Sequence, residues 1–180
     1  MMQRIDLAPM LRETLTTPYS DMVTRSTGVA LRDRIERAIS GASHRTTQLD
    51  FTAVGLLDFS CADEVVAKLL LRVADEEEHY VVLSGITDSH LDAIDHVLER
   101  HGLSVASLGT DASGARVLGV TTPDVQTAFQ AIQRLGAGDA KRLADALSWT
   151  VERAADALQS LALRRLIQAA GGTYRPLTMP

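Results

Sequence analysis

The residues best suited to chemistry lie in one segment, residues 49–66, which reads LDFTAVGLLDFSCADEVV. Ser60 begins a predicted helix and follows Asp58 by two residues. A serine at such a place most often caps the helix, with Asp63 or Glu64 three or four residues later completing a capping box. We therefore predict that Ser60 is a helix cap. The alternative is an accessible hydroxyl that receives a charged group.

The other reactive groups have spacings that do not indicate a catalytic or metal site. His90, His96 and His101 are six and five residues apart, whereas two ligands on one helix face need a step of three or four. Cys61 is the single cysteine, which excludes an internal disulfide, and the glycines are too scattered for a phosphate-binding loop. No acid, base and nucleophile set is suggested either. We expect a protein that is not an enzyme and holds no metal or cofactor.

The elements that position these groups alternate between helices and strands. An apolar stripe at helical spacing covers residues 25–39, and residues 49–59 are apolar and β-branched enough for a central strand. The further predicted elements are a helix from Ser60, a strand at 80–86, a helix at 88–102, and strands at 103–108 and 115–120. This order predicts an α/β (α+β) domain over residues 1–120, with a mixed sheet covered by helices.

A boundary follows at Thr122-Pro123, because proline suits the first turn of a helix and the preceding threonine suits its cap. Residues 121–180 then hold three predicted helices and a Gly-Gly hairpin signal. The charge changes as well: residues 1–120 carry 11 Lys/Arg and 18 Asp/Glu, and residues 121–180 carry 7 and 5. We predict a second domain over 121–180, and only this one has a charge compatible with nucleic acid.

The bulk composition places the chain among globular proteins. It is 46% hydrophobic and 23% charged, which is enough to bury a core. Mean hydropathy is +0.03, yet no uncharged apolar run approaches the 18 or so residues of a membrane helix. The segment MMQRIDLAPMLRE carries charges where a signal peptide is apolar. We expect a cytoplasmic protein without a membrane partner.

Two motifs resemble the STAS family, whose best-known members antagonise bacterial anti-sigma factors. STAS-like domains of unknown function show a Thr-Arg-x-x-Gly segment before the first helix, similar to TRSTG at 24–28. They also show a Ser-x-Ala-Asp-Glu helix start, similar to SCADE at 60–64. In the antagonists a strand ends in an Asp-Ser-Ser-Gly-like loop, where this chain reads DFSC at 58–61. The resemblance covers roughly residues 18–110 and implies a STAS-like fold there.

The resemblance also implies a mode of action. In the antagonists a kinase phosphorylates the serine that corresponds to Ser60, and the anti-sigma partner binds only the unphosphorylated form. Ser60, Asp58 and Arg25 are accordingly the candidates for phosphorylation or partner docking. Arg25 either faces the partner or, as we expect, forms an ion pair with Asp58. A small ligand held near Arg25 and Ser60 is a further alternative, since some relatives are thought to hold nucleotides.

The last third resembles winged-helix modules, in its order of three helices and a hairpin and in its ending LRRLIQAAGGTYRPL. In such modules the third helix enters the major groove, which here is residues 151–161. The candidates for DNA contact are Arg153, Gln159, Arg164, Arg165 and Arg175. The arginines suit phosphates and the glutamine suits adenine. The alternative is a module that packs against another protein or a second copy, and we expect a homodimer.

The sequence therefore predicts a non-enzymatic regulatory protein of the bacterial cytoplasm. In the first hypothesis it is a transcriptional regulator that joins a STAS-like interaction domain to a winged-helix DNA-binding module. In the second it is a protein–protein adaptor in a partner-switching cascade, with an anti-sigma or kinase-like partner and phosphorylation at Ser60. Salt-dependent DNA binding distinguishes the two hypotheses.

Overall fold

The computed structural model describes residues 2–75, 78–109 and 114–177, and within them the fold is mixed α/β. The strands are β1 (Met2–Asp6), β2 (Thr46–Asp50), β3 (Tyr80–Ser84), β4 (Ser104–Ser107), β5 (Arg116–Gly119), β6 (Ile167–Ala170) and β7 (Thr173–Pro176). The helices are α1 (Leu7–Leu15), α2 (Arg25–Ser40), α3, α4 (Asp88–Arg100), α5 (Pro123–Leu135), α6 (Ala140–Leu147) and α7 (Val151–Leu163). Helix α3 is continuous and has three parts, namely α-helical Phe59–Ala62, π-helical Asp63–Lys68 and α-helical Leu69–Val73.

The first five strands form one sheet in the order β1-β2-β3-β4-β5. The first four strands are parallel to their neighbours, and β5 is antiparallel to β4. Crossovers between neighbouring parallel strands are right-handed, so the connecting helices α1–α4 lie on one face. The predicted mixed sheet with covering helices is confirmed.

Each face of the sheet has its own apolar core, because side chains alternate along a strand. Val81 and Leu83 point toward α1–α4 and join a core with Phe51 and Leu98. Val82 of the same strand points to the other face, where it joins a second core with residues such as Phe129. The central strand is therefore buried on both sides, which accounts for its continuous apolar sequence.

The second face is covered by the unit made of α5–α7 and the β6-β7 hairpin. The hairpin turns at Gly171-Gly172, both with positive φ, as the Gly-Gly signal predicts. The unit is tied to the sheet by Arg164, whose Nη1 donates to Ser104 Oγ at 3.1 Å. The three helices and hairpin predicted for residues 121–180 are thus present, and they pack directly on the sheet of the preceding residues.

The β5 edge of the sheet is closed by a side chain. Gln126 of α5 donates from Nε2 to the carbonyl of Val117 at 2.7 Å, and its Oε1 accepts from the Val117 N–H at 3.2 Å. The carboxamide thus pairs with an edge residue as another strand would, and this blunts the edge against pairing with a further chain.

One predicted element is placed wrongly. Residues 49–59 were expected to form a strand, but β2 ends at Asp50 and a loop follows. Phe51, Val54 and Leu57 are buried from this loop, so its apolar residues fill the core without extended backbone. The sequence patterns also gave no signal for β1 and α1, which precede the segment with the STAS resemblance.

Candidate functional site

The two motif segments of the sequence meet in the structure. Helix α2 begins with residues 24–28 and packs against the first half of α3, residues 58–64. The contact is close at Gly28, where an added Cβ would lie 2.9 Å from Glu64 Cβ and 3.1 Å from Cys61 Cα. Glycine is required here because the two helices approach too closely for a side chain. We call this meeting point the α3 site.

Asp58, and not Ser60, caps α3, so the prediction of a Ser60 cap is wrong. Asp58 Oδ1 accepts the Cys61 N–H at 2.7 Å, and Oδ2 accepts the Thr24 N–H at 2.8 Å. Ser60 lies in the first helical turn and its hydroxyl donates to Asp58 Oδ1 at 2.9 Å. Burial alone would raise the pKa of Asp58, but these hydrogen bonds outweigh it and lower the pKa. The ionised carboxylate thereby joins both motif segments.

The predicted Arg25–Asp58 ion pair is also replaced by another. Arg25 Nη1 donates to Asp63 Oδ2 at 2.9 Å and to Glu64 Oε1 at 2.6 Å. Asp58 is already occupied as the helix cap, whereas the two consecutive acids face α2 together. Half of the Arg25 side chain stays exposed, so it forms the outer layer of a buried ionic cluster.

Glu64 is the centre of this cluster and only 1% of it is exposed. Its carboxylate contacts Arg25, Lys68 at 2.6 Å, and Arg32, which is itself buried. Burial would raise the pKa of Glu64, but the hydrogen bonds from Lys68 and Arg25 and the charge of Arg32 outweigh it and lower the pKa. A carboxylate with three cations is ionised at neutral pH and holds α2 against α3.

Asp63 extends the cluster toward α4. His101, the residue at the end of α4, places Nε2 2.7 Å from Asp63 Oδ1. Burial would raise the pKa of Asp63, but hydrogen bonds from Arg25 and His101 lower it. Asp63 and Glu64 are the first two residues of the π-helical turn. Such turns are rare and are frequently found at functional sites.

An apolar patch lies on the surface beside Ser60. It consists of four exposed large side chains: Tyr19 (71% exposed), Leu56 (67%), Phe59 (51%) and Val23 (37%). Two backbone hydrogen bonds join the segments that carry them. The Met22 N–H donates to the Leu56 carbonyl at 2.7 Å, and the Asp58 N–H donates to the Met22 carbonyl at 3.1 Å. Because Met22 and Leu57 point inward, Val23 and Leu56 point outward.

The backbone under the apolar patch is fixed by buried polar groups. His90 accepts the Thr87 N–H at Nδ1, so Nε2 carries the proton and donates to the Gly55 carbonyl at 2.8 Å. His90 is 1% exposed, and it ties the loop with Leu56 to the start of α4. The patch is therefore held in place before any partner arrives.

Cys61 lies inside the α3 site as a structural residue. It is fully buried, its thiol donates to the Thr24 carbonyl at 3.3 Å, and burial raises its pKa to about 12. A thiol with this pKa is not a nucleophile at neutral pH. Within the described residues no group of three or more His, Cys, Asp or Glu side chains is arranged to hold a metal ion.

The DNA-contact candidates of the C-terminal unit do not form one basic surface. Arg153 is held by both oxygens of Asp124, at 2.9 and 2.7 Å, and covers the ring of Trp149. Arg165 donates to the carbonyls of Val73, Ala74 and His79, which fixes the end of α3. Arg164 bonds to Ser104, as described above. Gln159 and Arg175 lie exposed on α7 and β7.

Several residues of the α3 site were not predicted, notably Arg32, Lys68 and His101. Lys68 had a usable signal, since it stands four residues after Glu64 on one helix. Arg32 and His101 come from other helices, and only the packing of α2 and α4 on α3 brings them to the acids.

No protein-family model matches this chain, and no curated protein matches its sequence. In the described part of the chain, every helix is too short or too polar to cross a membrane.

Proposed function

We propose that the chain is a non-enzymatic regulatory protein of the cytoplasm that docks a partner protein on the apolar patch. The observation that carries this proposal is the group of four exposed large apolar side chains around the start of α3. Isolated exposed apolar residues are ordinary, whereas several on segments that are hydrogen-bonded to one another favour an interaction surface. The resemblance to the STAS family, whose best-known members bind anti-sigma partners, supports the same assignment.

Ser60 is the proposed control point of this surface. A phosphate on its hydroxyl would add about two negative charges beside the Asp58 carboxylate. Repulsion would weaken the bonds from Asp58 to Thr24 and Cys61, which join the two segments that carry the apolar patch. Phosphorylation would thus change both the charge and the shape of the docking surface.

Removing two apolar anchors should weaken docking strongly without unfolding the protein. Peptides selected from a random phage-displayed library on the full chain should bind Leu56→Ser/Phe59→Ser at least about tenfold more weakly, because central apolar anchors dominate interface energies. Fluorescence anisotropy with the selected peptides measures the affinities. Thermal unfolding should change little, since both side chains are largely exposed.

Leu163→Ser is the matched control, because Leu163 is 78% exposed on α7 and lies outside the apolar patch. Docking on the patch is contradicted if the control weakens peptide binding as much as the patch variant does. It is also contradicted if neither variant weakens binding.

DNA binding by residues 121–180 is the second candidate function, and its support is the order of three helices and a hairpin with Gln159 and Arg175 exposed. Against it stand the internal contacts of Arg153, Arg164 and Arg165. Glu152 and Asp156 also flank Gln159 on the exposed face of α7.

Fluorescence anisotropy with random duplex DNA at low and moderate salt tests this candidate. A DNA-binding unit should lose affinity steeply as salt rises, and Arg175→Ala should weaken binding further, because phosphate contacts release counterions. Absence of binding at low salt contradicts the DNA function and leaves the docking function unaffected.

A further inference from the structure

We infer that the partner of the apolar patch is a polypeptide segment whose apolar anchors are flanked by lysine or arginine side chains. This inference rests on the proposed docking function and adds the charge class of the partner. It follows from the acidic surface that borders the patch on α4 and from a groove that ends at this surface.

The exposed face of α4 carries a row of two acids and a histidine next to the apolar patch. Asp88, Asp92 and His96 follow one another at steps of four, which places them on one face of the helix, and all three are exposed. The Phe59 ring lies 4.8 Å from the His96 ring, so the row begins where the patch ends. Exposed Glu99 continues it by one turn.

Within the described residues, the basic side chains near this surface are engaged in other contacts. Arg12 donates to Ser20 Oγ at 2.7 Å, beside Tyr19 of the patch. Arg25 is committed to the buried acids of the α3 site, and exposed Arg100 stands beside Glu99 at the far end of α4. Asp21, next to the patch, adds a further exposed acid, whose Oδ1 accepts the Leu56 N–H. The net negative field attracts cations and repels polyanions such as nucleic acid or an anionic lipid surface.

An open groove of about 450 Å³ runs beside the loop that carries Leu56. It is lined by residues 51–54 and 85–88, which include apolar Val54 and Ile86 and the acid Asp88. A lysine or arginine combines an apolar stem with a charged head, so its stem fits the walls while its head reaches the acid.

The composition and salt response of the selected peptides test the inference. We expect peptides that bind the apolar patch to carry lysine or arginine beside large apolar residues. Asp88→Asn/Asp92→Asn should weaken them about three- to tenfold and reduce the salt dependence of binding, because charges at the rim of an interface act mainly through long-range attraction. Asp145→Asn, on exposed Asp145 of α6, is the matched control and should change neither quantity.

The possible outcomes separate this inference from the function on which it rests. Patch-dependent peptides that are neutral or acidic, or that ignore the α4 substitutions, overturn the charge assignment and leave docking intact. If no peptide depends on Leu56 and Phe59, docking on the patch fails and the inference fails with it. A dimer in sedimentation that Leu56→Ser/Phe59→Ser dissociates identifies a second copy as the occupant and overturns the basic partner.

Discussion

Glu64→Ala should lower the free energy of unfolding by about 3–5 kcal/mol, as measured by urea denaturation. The substitution removes the buried carboxylate from buried Arg32, which keeps only the longer contacts to Glu36 at 3.2 Å and Asp33 at 3.6 Å, and a poorly paired buried charge is strongly destabilising. It also removes the Glu64 contacts of Lys68 and Arg25, so the ionic contact between α2 and α3 is reduced to pairs such as Arg25–Asp63. A loss below about 1 kcal/mol would mean that the cluster contributes little to helix packing.

Glu13→Ala is the matched control, because Glu13 pairs with Arg34 on the surface and both side chains are substantially exposed. Exposed pairs are screened by water, so stability should stay nearly unchanged.

The pKa of Glu64 lies below its ordinary value of 4.5, so the stability that its ionised carboxylate contributes is present above that pH and is lost as the pH falls through the lowered pKa. Glu64→Gln should therefore flatten the acid limb of the stability profile, since glutamine cannot bind the proton.

Gly85→Ala should lower the free energy of unfolding by about 2–4 kcal/mol and should also weaken docking. Gly85 has φ of +67°, and an added Cβ would lie 2.4 Å from Thr52 N and 2.6 Å from Asp50 Oδ1. The estimate combines the left-handed conformation, about 1 kcal/mol, with overpacking of 1–3 kcal/mol. The Thr52 backbone must shift, and it leads into the loop that carries Leu56. Urea denaturation and peptide anisotropy measure the two effects.

Gly102→Ala separates these two contributions. Gly102 has the same φ of +67°, but an added Cβ would meet no atom within 4 Å. Its substitution should cost only the conformational term and leave peptide binding unchanged. If both substitutions lower the free energy of unfolding equally, the close approach of the added Cβ to Thr52 costs nothing, and the overpacking argument is wrong.

The sequence was sufficient to predict most helices and strands, but not which apolar residues are buried from loops. Strand β3 and helix α4 follow from local apolar periodicity, and the terminal hairpin follows from Gly171-Gly172. The segment after Asp50 misled the prediction because Phe51, Val54 and Leu57 are as apolar as strand residues and are buried from a loop. The packing of residues 121–177 on the second sheet face depends on contacts between distant segments, which periodicity does not report.

The sequence predicted that the two motifs of the α3 site meet, but it gave the wrong partners for their contact. The expected Arg25–Asp58 pair failed because Asp58 caps α3 and binds the Thr24 and Cys61 N–H groups. Pattern analysis assumes 3.6 residues per turn, and the π-helical turn breaks that assumption at Asp63 and Glu64. The apolar patch was not predicted because residue type alone does not show whether an apolar side chain such as Phe59 is exposed or buried.

The placement of α5–α7 on the sheet has a consequence for synthesis on the ribosome. The five-stranded sheet is complete in the chain at Gly119, whereas the unit that covers its second face begins at Pro123 and is complete only at Pro176, 57 residues after Gly119. During the roughly 3–11 s needed to add those residues, Val82, Ala106 and Val117 lack a complete covering layer. In this interval one apolar face of the sheet in the nascent chain is exposed to water. The C-terminal helices therefore complete the fold and also protect the chain against aggregation.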